Sequence, residues 1–496
     1  MLQYLLTIFT QPTLLLYLLG GLLFGLYAGA MPGISVSMAA SLGITFSFGW
    51  SPMNAIALIL GIHIGGVYGG SRSAILLNVP GTPAAIATSF DGYPLAKKGE
   101  AAHALTTTAV QSVIGGLIGA IVLCTATPLL VKFSLLFAAR DYFMLALLGI
   151  FLLGSLSGDD FAKGMFGGFL GMFLGCVGMD TMTAVNRFTF GNMNLMSGIT
   201  SIAIMIGSFG MAESLFQVSD LRKATVMKQK LDHLRPNLKE VIKYLPLTIR
   251  CSLIGAFIGA LPGTGGDIAA IVCYDHAKRT TKNPEVPFGQ GAVEGLVAPE
   301  CANNAAVGGA YVPMLALGIP GDSVAAIIIS ALMIHGITPG PTLVNEQPQM
   351  FYLIIACIIV GNILLLPAAL TGLKAFAKAA SVPKEILLPF IIVLTVVGSY
   401  AANQNVFDVL VMAIAGYVGY FLKKHDFPVG PIILGFILSN LLELNFRRTI
   451  AMCYGELPTF ASQVVHSPLS LFLFLAIVVM ILLQTPLKNV FKKKKA

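Results

Sequence analysis

The chain has 496 residues, of which 56% are hydrophobic and 10% charged, with 30 Lys and Arg against 22 Asp and Glu for a net charge of +8. A soluble domain carries about 25% charged residues, so this composition, with a mean hydropathy of +0.84, excludes a soluble fold and puts the excess apolar surface against lipid. The basic residues sit in short segments between apolar stretches, which argues against nucleic acid as a partner.

No Lys, Arg, Asp or Glu precedes Arg72. A bilayer crossing needs about 20 mostly apolar residues, and the ten-residue alternation of an outer-membrane barrel does not occur. Helices are the expected spanning element, because each satisfies its own backbone in lipid. In chain order, spans are expected near 13–31, 34–48, 52–71, 103–127, 142–157, 161–179 and 198–218. After a polar loop they resume near 246–262, 264–276, 290–312, 349–371, 386–400, 405–422, 430–444 and 467–485. Segments 72–90 and 314–340 are apolar but interrupted by Pro and Gly, as in re-entrant hairpins. The N-terminal stretch lacks the basic region of a cleaved signal peptide and reads as a retained span. The seven Cys form no CxxC pair and read as small buried hydrophobes, with no disulfide and no metal site. The loop 219–245, with seven basic residues, and the tail ending Lys492–Lys495 are expected on the cytoplasmic side by the positive-inside rule, the tail touching anionic lipid.

An internal repeat stands out. Gly25-Leu-Tyr-Ala-Gly29-Ala30-Met31-Pro32-Gly33 matches Gly255-Ala-Phe-Ile-Gly259-Ala260-Leu261-Pro262-Gly263 at an offset of 230 residues. Ala74–Thr82, with its Pro80-Gly81, matches Met314–Asp322, with Pro320-Gly321, at an offset of 240. The polar insert His276–Pro287 accounts for the difference. The expected organisation is a first transmembrane repeat at 1–218, a basic cytoplasmic linker at 219–245, a second repeat at 246–485 and a basic tail at 486–496. Seven expected spans precede the second copy, and an odd number inverts it. The fold class is therefore an all-α polytopic membrane protein of two homologous, inverted repeats with broken helices, the usual plan of secondary transporters.

Pro and Gly within a span leave backbone N–H and C=O groups that lipid cannot satisfy. Such groups are tolerated where they line a cavity or meet a ligand, and half-helix N-termini suit an anion. Break one offers Ser35 and Ser37; break two offers Ser71, Ser73, Asn78, Gly81, Thr82 and Thr88. Break three offers Gly263, Thr264 and Asp267. Asn303 and Asn304 precede break four, where Asp322 and Ser323 follow Gly321. Kinks and close packing are the alternative reading of any single break. Arg72 either pairs with a substrate carboxylate or snorkels to the interface. Asp267 and Asp322 either hold the coupling ion, Na⁺ or a proton, or cap helices. Glu294 and Glu300 lie in an apolar segment, and His63 and His335 read as packing residues. No Walker A pattern occurs, which argues against an ATP-driven pump.

At these residues the chain resembles the large membrane subunit of tripartite tricarboxylate transporters. The resemblance rests on Tyr68-Gly-Gly-Ser-Arg-Ser-Ala-Ile-Leu-Leu-Asn-Val-Pro-Gly-Thr-Pro83 and Asp91-Gly-Tyr-Pro-Leu-Ala-Lys-Lys-Gly-Glu100. It continues in Leu261-Pro-Gly-Thr-Gly-Gly266, Ala298-Pro-Glu-Cys-Ala-Asn-Asn-Ala305, Leu317-Gly-Ile-Pro-Gly321 and His335-Gly-Ile-Thr-Pro-Gly-Pro341. Cys301 stands where a small residue such as Ala is expected. The resemblance implies an ion-coupled importer of the bacterial inner membrane that works with a small four-span membrane subunit and a periplasmic substrate-binding protein. It also implies paired hairpins, an elevator-like motion, and substrate and coupling ions held at Asn78–Thr82 and Asn303–Ser323. The expected activity is symport of di- or tricarboxylates such as citrate with Na⁺ or H⁺, without another cofactor. Alternatives are a passive anion channel, a membrane-embedded enzyme, for which no GxSxG or HExxH pattern occurs, and a non-transporting scaffold.

Overall fold

The computed structural model describes residues 2–31, 34–155, 161–180, 182–219, 236–371 and 384–484. The Pro32-Gly33 break, most of the basic loop 219–245 and the Lys-rich tail lie outside the described residues. The chain is a multi-pass all-α membrane protein. Seven helices among the described residues are long and apolar enough to cross a membrane, or eight if a bent pair near the C-terminus counts as one span. One short antiparallel ladder, β1 (Gly178–Met179) with β2 (Asn186–Arg187), interrupts the helices.

The helices begin with α1 (Leu2–Thr10), α2 (Pro12–Ala30), α3 (Val36–Ser47), α4 (Pro52–Leu77) and α5 (Ala85–Lys97). Then come α6 (Ala101–Ser134), α7 (Ala139–Ser155) and α8 (Phe161–Gly175). Helix α9 (Ser201–Met205) passes through a π turn at Ile206–Met211 into α10 (Ala212–Ser219). The second run is α11 (Leu238–Gly259), α12 (Gly265–Thr280), α13 (Glu294–Leu317), α14 (Ser323–Ile334), α15 (Pro341–Glu346) and α16 (Pro348–Thr371). It closes with α17 (Lys384–Asn403), α18 (Val406–Lys424), α19 (Gly430–Met452), α20 (Leu457–His466) and α21 (Pro468–Gln484).

Local chemistry sets several ends. Pro opens α2 and α4, where its fixed φ suits the first turn and its missing N–H is not needed. Asn78 (φ 54°) and Gly318 (φ 72°), 240 residues apart, stop α4 and α13 in the left-handed region, which Asn and Gly adopt most readily.

Two expectations are corrected. The spans placed at 34–48 and 264–276 are α3 and α12, of 12 and 16 residues. At 1.5 Å per residue they reach about 18 and 24 Å, short of a hydrocarbon core of about 30 Å. The helix expected to stop at residue 71 runs on to Leu77.

By contacts the chain forms two compact units, Met1–Val131 with Met205–Tyr420, and Lys132–Ile204 with Phe421–Ala496. In the first unit α2 packs on α4 and α11 on α13, each crossing made possible by glycine. A Cβ on Gly25 would fall 2.2 Å from the Ile62 carbonyl oxygen, and one on Gly255 2.3 Å from that of Ala302. Gly255 and Ala302 stand at the same 230 and 240 offsets from Gly25 and Ile62, so the two crossings share one register.

In the second unit, α7 packs with α20 and α21 through Phe143, Met144, Val464, Leu473 and Ile477. Buried Asp141 accepts from the Ser467 hydroxyl at 3.1 Å and from that of Ser470. Asp180 accepts from the Met182 and Thr183 N–H groups at 2.8 and 2.9 Å and from Arg447, while Arg187 pairs with Glu443. The Thr183 N–H foremost, then Arg447, holds the Asp180 carboxyl well below the usual carboxylate range.

Candidate functional site

The first unit contains a cavity of about 220 Å³ at which the N-terminal ends of four helices, α3, α5, α12 and α14, come together. They meet in two pairs. At the first pole, α3 meets α14: the Ser37 and Ser323 hydroxyls are 2.8 Å apart. Ser35 caps α3 by accepting from Met38 N–H at 3.0 Å, and Asp322 caps α14 by accepting from Ala325 N–H at 2.6 Å. At the second pole, α5 meets α12: Ala84 N–H donates to Asp267 Oδ1 at 3.1 Å. Helices α4 and α13 supply the wall between, through His63 and Val67 on one and Asn303 and Val307 on the other.

This lining is paired, Gly81 apart. Ser35, Val36 and Ser37 have Gly265, Gly266 and Asp267 as counterparts 230 residues on. His63, Val67, Thr82, Pro83 and Ala84 have Asn303, Val307, Asp322, Ser323 and Val324 as counterparts 240 residues on. The geometry is repeated and the chemistry is not: both acids belong to the later set, and the earlier set offers hydroxyls and an imidazole.

A helix N-terminus carries about half a positive charge, and its first-turn amides suit an anion. Against four such ends stand the carboxylates of Asp267 and Asp322, and no Lys or Arg is among the described residues lining the cavity. His63 is 3% exposed; its Nδ1 lies 2.6 Å from the Tyr311 hydroxyl and its Nε2 3.8 Å from Asp322 Oδ2. The arrangement can take an anion by backbone dipoles and a cation by carboxylates, side by side.

Of the expected site residues, the structure brings Ser35, Gly81, Thr82, Asp267, Asn303, Asp322 and Ser323 to the cavity. It places the others off its wall. Arg72 is buried, its guanidinium 5.4 Å over the Tyr68 ring and its Nη2 donating to the Ala368 and Ala369 carbonyls at 3.3 and 2.6 Å. Asn78 is exposed at the α4 terminus. Gly263 N–H donates to the Gly321 carbonyl at 2.8 Å, tying break three to break four. Thr264 turns its hydroxyl back to the Leu261 carbonyl, and the Asn304 side-chain amide donates to the Glu300 carbonyl. His63, read from the sequence as a packing residue, lines the cavity; a lone His among apolar residues carries no signal of that until Asp322 and Tyr311 are placed beside it.

Two buried acids fasten the surroundings. Glu300 accepts from the hydroxyls of Ser71, Thr88 (2.6 Å) and Ser112 (2.8 Å), one each from α4, α5 and α6. Asp91 accepts from the N–H groups of Gly289, Gly291 and Ala292, each at 2.8 Å, and from Tyr274 at 2.9 Å.

Residues 15–434 match the tripartite tricarboxylate transporter TctA family. The chain belongs to that family. A TctA-family protein is the membrane component of a three-part transport system, and the family is one of transporters rather than enzymes. An uncharacterized 52.8 kDa protein in the TAR-I ttuC′ 3′ region of Agrobacterium vitis is 37% identical over 451 residues, 90% of this chain and 89% of that protein. A second uncharacterized protein, in the TAR-II ttuC′ 3′ region of the same organism, is 38% identical over 215 residues, 43% of this chain and 88% of its own length. No solved structure matches the chain.

Proposed function

We propose that this TctA-family chain imports di- or tricarboxylates across the bacterial inner membrane, together with Na⁺ or H⁺. The observation that carries the reading is the cavity where four helix N-termini meet two carboxylates with no basic side chain on its described wall. A multivalent anion is drawn by the dipoles but repelled by Asp267 and Asp322 until a cation offsets them. Anion and cation therefore favour each other's binding, which is the thermodynamic content of symport.

The two sets of helices are read as inverted repeats, 1–218 and 246–485, moving the cavity by an elevator-like alternation of access. Support comes from the shared register of the α2–α4 and α11–α13 crossings and from the paired lining. The partners are a small four-span subunit and a periplasmic substrate-binding protein, with the loop 219–245 and the C-terminus cytoplasmic.

The test is uptake of labelled citrate and a panel of dicarboxylates by proteoliposomes holding all three components, with imposed Na⁺ or pH gradients. Uptake that requires a cation gradient and the binding protein is the expected result. Equilibration without any gradient would mark a channel instead.

A further inference from the structure

The His63 imidazole lines the cavity from α4 and is 3% exposed. Its Nδ1 lies 2.6 Å from the hydroxyl of Tyr311 on α13. Tyr311 is fully buried, and its hydroxyl makes no other hydrogen bond among the described residues. A buried hydroxyl is ordinarily hydrogen-bonded, and the acceptor within its reach is Nδ1. A neutral imidazole has one N–H and one acceptor nitrogen, and the bond made at one nitrogen fixes the state of the other. Hydrogen on Nδ1 would turn the Tyr311 oxygen into an acceptor and strand its O–H without a partner. The imidazole hydrogen therefore sits on Nε2.

That Nε2–H has no acceptor among the described residues. Asp322 Oδ2 stands 3.8 Å away, beyond the roughly 3.2 Å limit of an N–H···O bond, and Asp322 Oδ1 is occupied in capping α14. The counterpart of His63, 240 residues on, is Asn303. It also lines the cavity, is 4% exposed, and makes no side-chain hydrogen bond among the described residues. Two polar side chains, each more than nine-tenths buried, thus face the cavity from matching turns of α4 and α13 with hydrogen-bonding capacity unused. The tautomer decides what His63 can hold. A lone pair on Nε2 beside Asp322 would suit a cation, whereas an N–H there takes an acceptor.

We propose that His63 binds the transported anion, its Nε2–H donating to a substrate carboxylate oxygen, and that Tyr311 is the positioning residue that holds the imidazole in this tautomer. The inference rests on the transport reading and deepens it. It names a side-chain donor for the anion on a wall whose described residues include no Lys or Arg, and it separates His63 from the carboxylates that serve the cation.

The experiment is binding of citrate, succinate and malate to the full chain, reconstituted with its two partner components under a saturating coupling cation, together with nitrogen-15 NMR of the histidine-labelled protein. His63→Met combined with Tyr311→Phe removes donor and positioning hydroxyl at once, so that no buried hydroxyl is stranded. It is expected to weaken whichever anion binds by about 10-fold, the loss of one charge-assisted hydrogen bond. In His63→Gln the side-chain oxygen can accept from Tyr311 while the amide nitrogen takes the place of Nε2, and the affinity is expected to return to within about 3-fold of the wild type. The wild-type His63 signals, assigned by their loss in His63→Gln, should show hydrogen on Nε2 and a shift of that nitrogen when the anion is added; Tyr311→Phe should mix the two tautomers. Undiminished affinity in the double variant overturns the inference alone. So does a His63 that carries its hydrogen on Nδ1, or an Nε2 signal that the bound anion leaves unmoved. If none of the three anions binds, the transport reading falls and this inference with it.

Discussion

Glu300 sits on α13 at 1% exposure, one helical turn from Asn303, and takes one hydroxyl from each of three other helices. Leaving a buried acceptor one hydrogen bond short costs about 1–3 kcal/mol, so Ser112→Ala is expected to cost about that much, read from thermal or denaturant unfolding in detergent. A variant with unchanged stability would show the Ser112 contact to be idle. Asp180 illustrates the same physics outside the membrane. Its carboxyl is held low by the Thr183 N–H and Arg447, so its ionised form stabilises the fold. That stabilisation is complete above the unfolded carboxyl value of about 3.9 and is lost as the pH falls from there toward the folded value. The protection of the amides across residues 178–198, taken relative to their intrinsic exchange at the same pH, should fall below about pH 4 in the wild type. In Asp180→Asn the fall should be absent, protection being low at every pH; identical profiles would refute the assignment. Neither role was legible from sequence. Glu300 read only as an acid in an apolar segment, because its three hydroxyls come from residues about 190 to 230 positions earlier.

The helices themselves were largely legible, because charge-free runs and Pro-Gly breaks are properties of neighbouring residues. What failed was the reading of Arg72 as a boundary. Ser71-Arg72-Ser73 looks polar on its own, yet α4 continues through it because the Ala368 and Ala369 carbonyls from α16 receive the guanidinium. A contact nearly 300 residues away cannot be seen in a local window. The glycine register was visible as a repeat, and its purpose appears only in the packing. Helices α2 and α4 approach until the Gly25 Cα lies against the Ile62 carbonyl, as Gly255 does against Ala302. Neither backbone can retreat, since each carbonyl is held in its own helix. Gly25→Val and Gly255→Val should therefore each cost about 1–3 kcal/mol or more from overpacking. An exposed glycine with open space around it, Gly20, is the control: Gly20→Ala should be neutral or slightly stabilising. Equal melting temperatures for all three variants would refute the close crossing.

At the scale of the whole molecule the informative contact is Ser37 with Ser323, 286 residues apart and joined at 2.8 Å across the first pole. Motifs could mark each helix tip as unusual, but they could not say which tip meets which, since that is a property of the tertiary pairing. The pairing has a mechanical consequence. If access alternates as proposed, a substrate confined between the α3 and α14 ends leaves only when those ends separate or when the whole cavity moves, and the two cases differ in their response to a tether. Ser37→Cys with Ser323→Cys, on a background lacking the seven native cysteines, places two thiols where the hydroxyls now touch. A dithiol cross-link formed under oxidation should leave bound carboxylate trapped and stop uptake, with reductant restoring it, if the pole opens during each cycle. Uptake that continues through a complete cross-link, verified by gel mobility after cleavage in the 219–245 loop, would show the pole to be a fixed joint. Release would then have to come through the α5–α12 pole or by displacement of the closed cavity as a body.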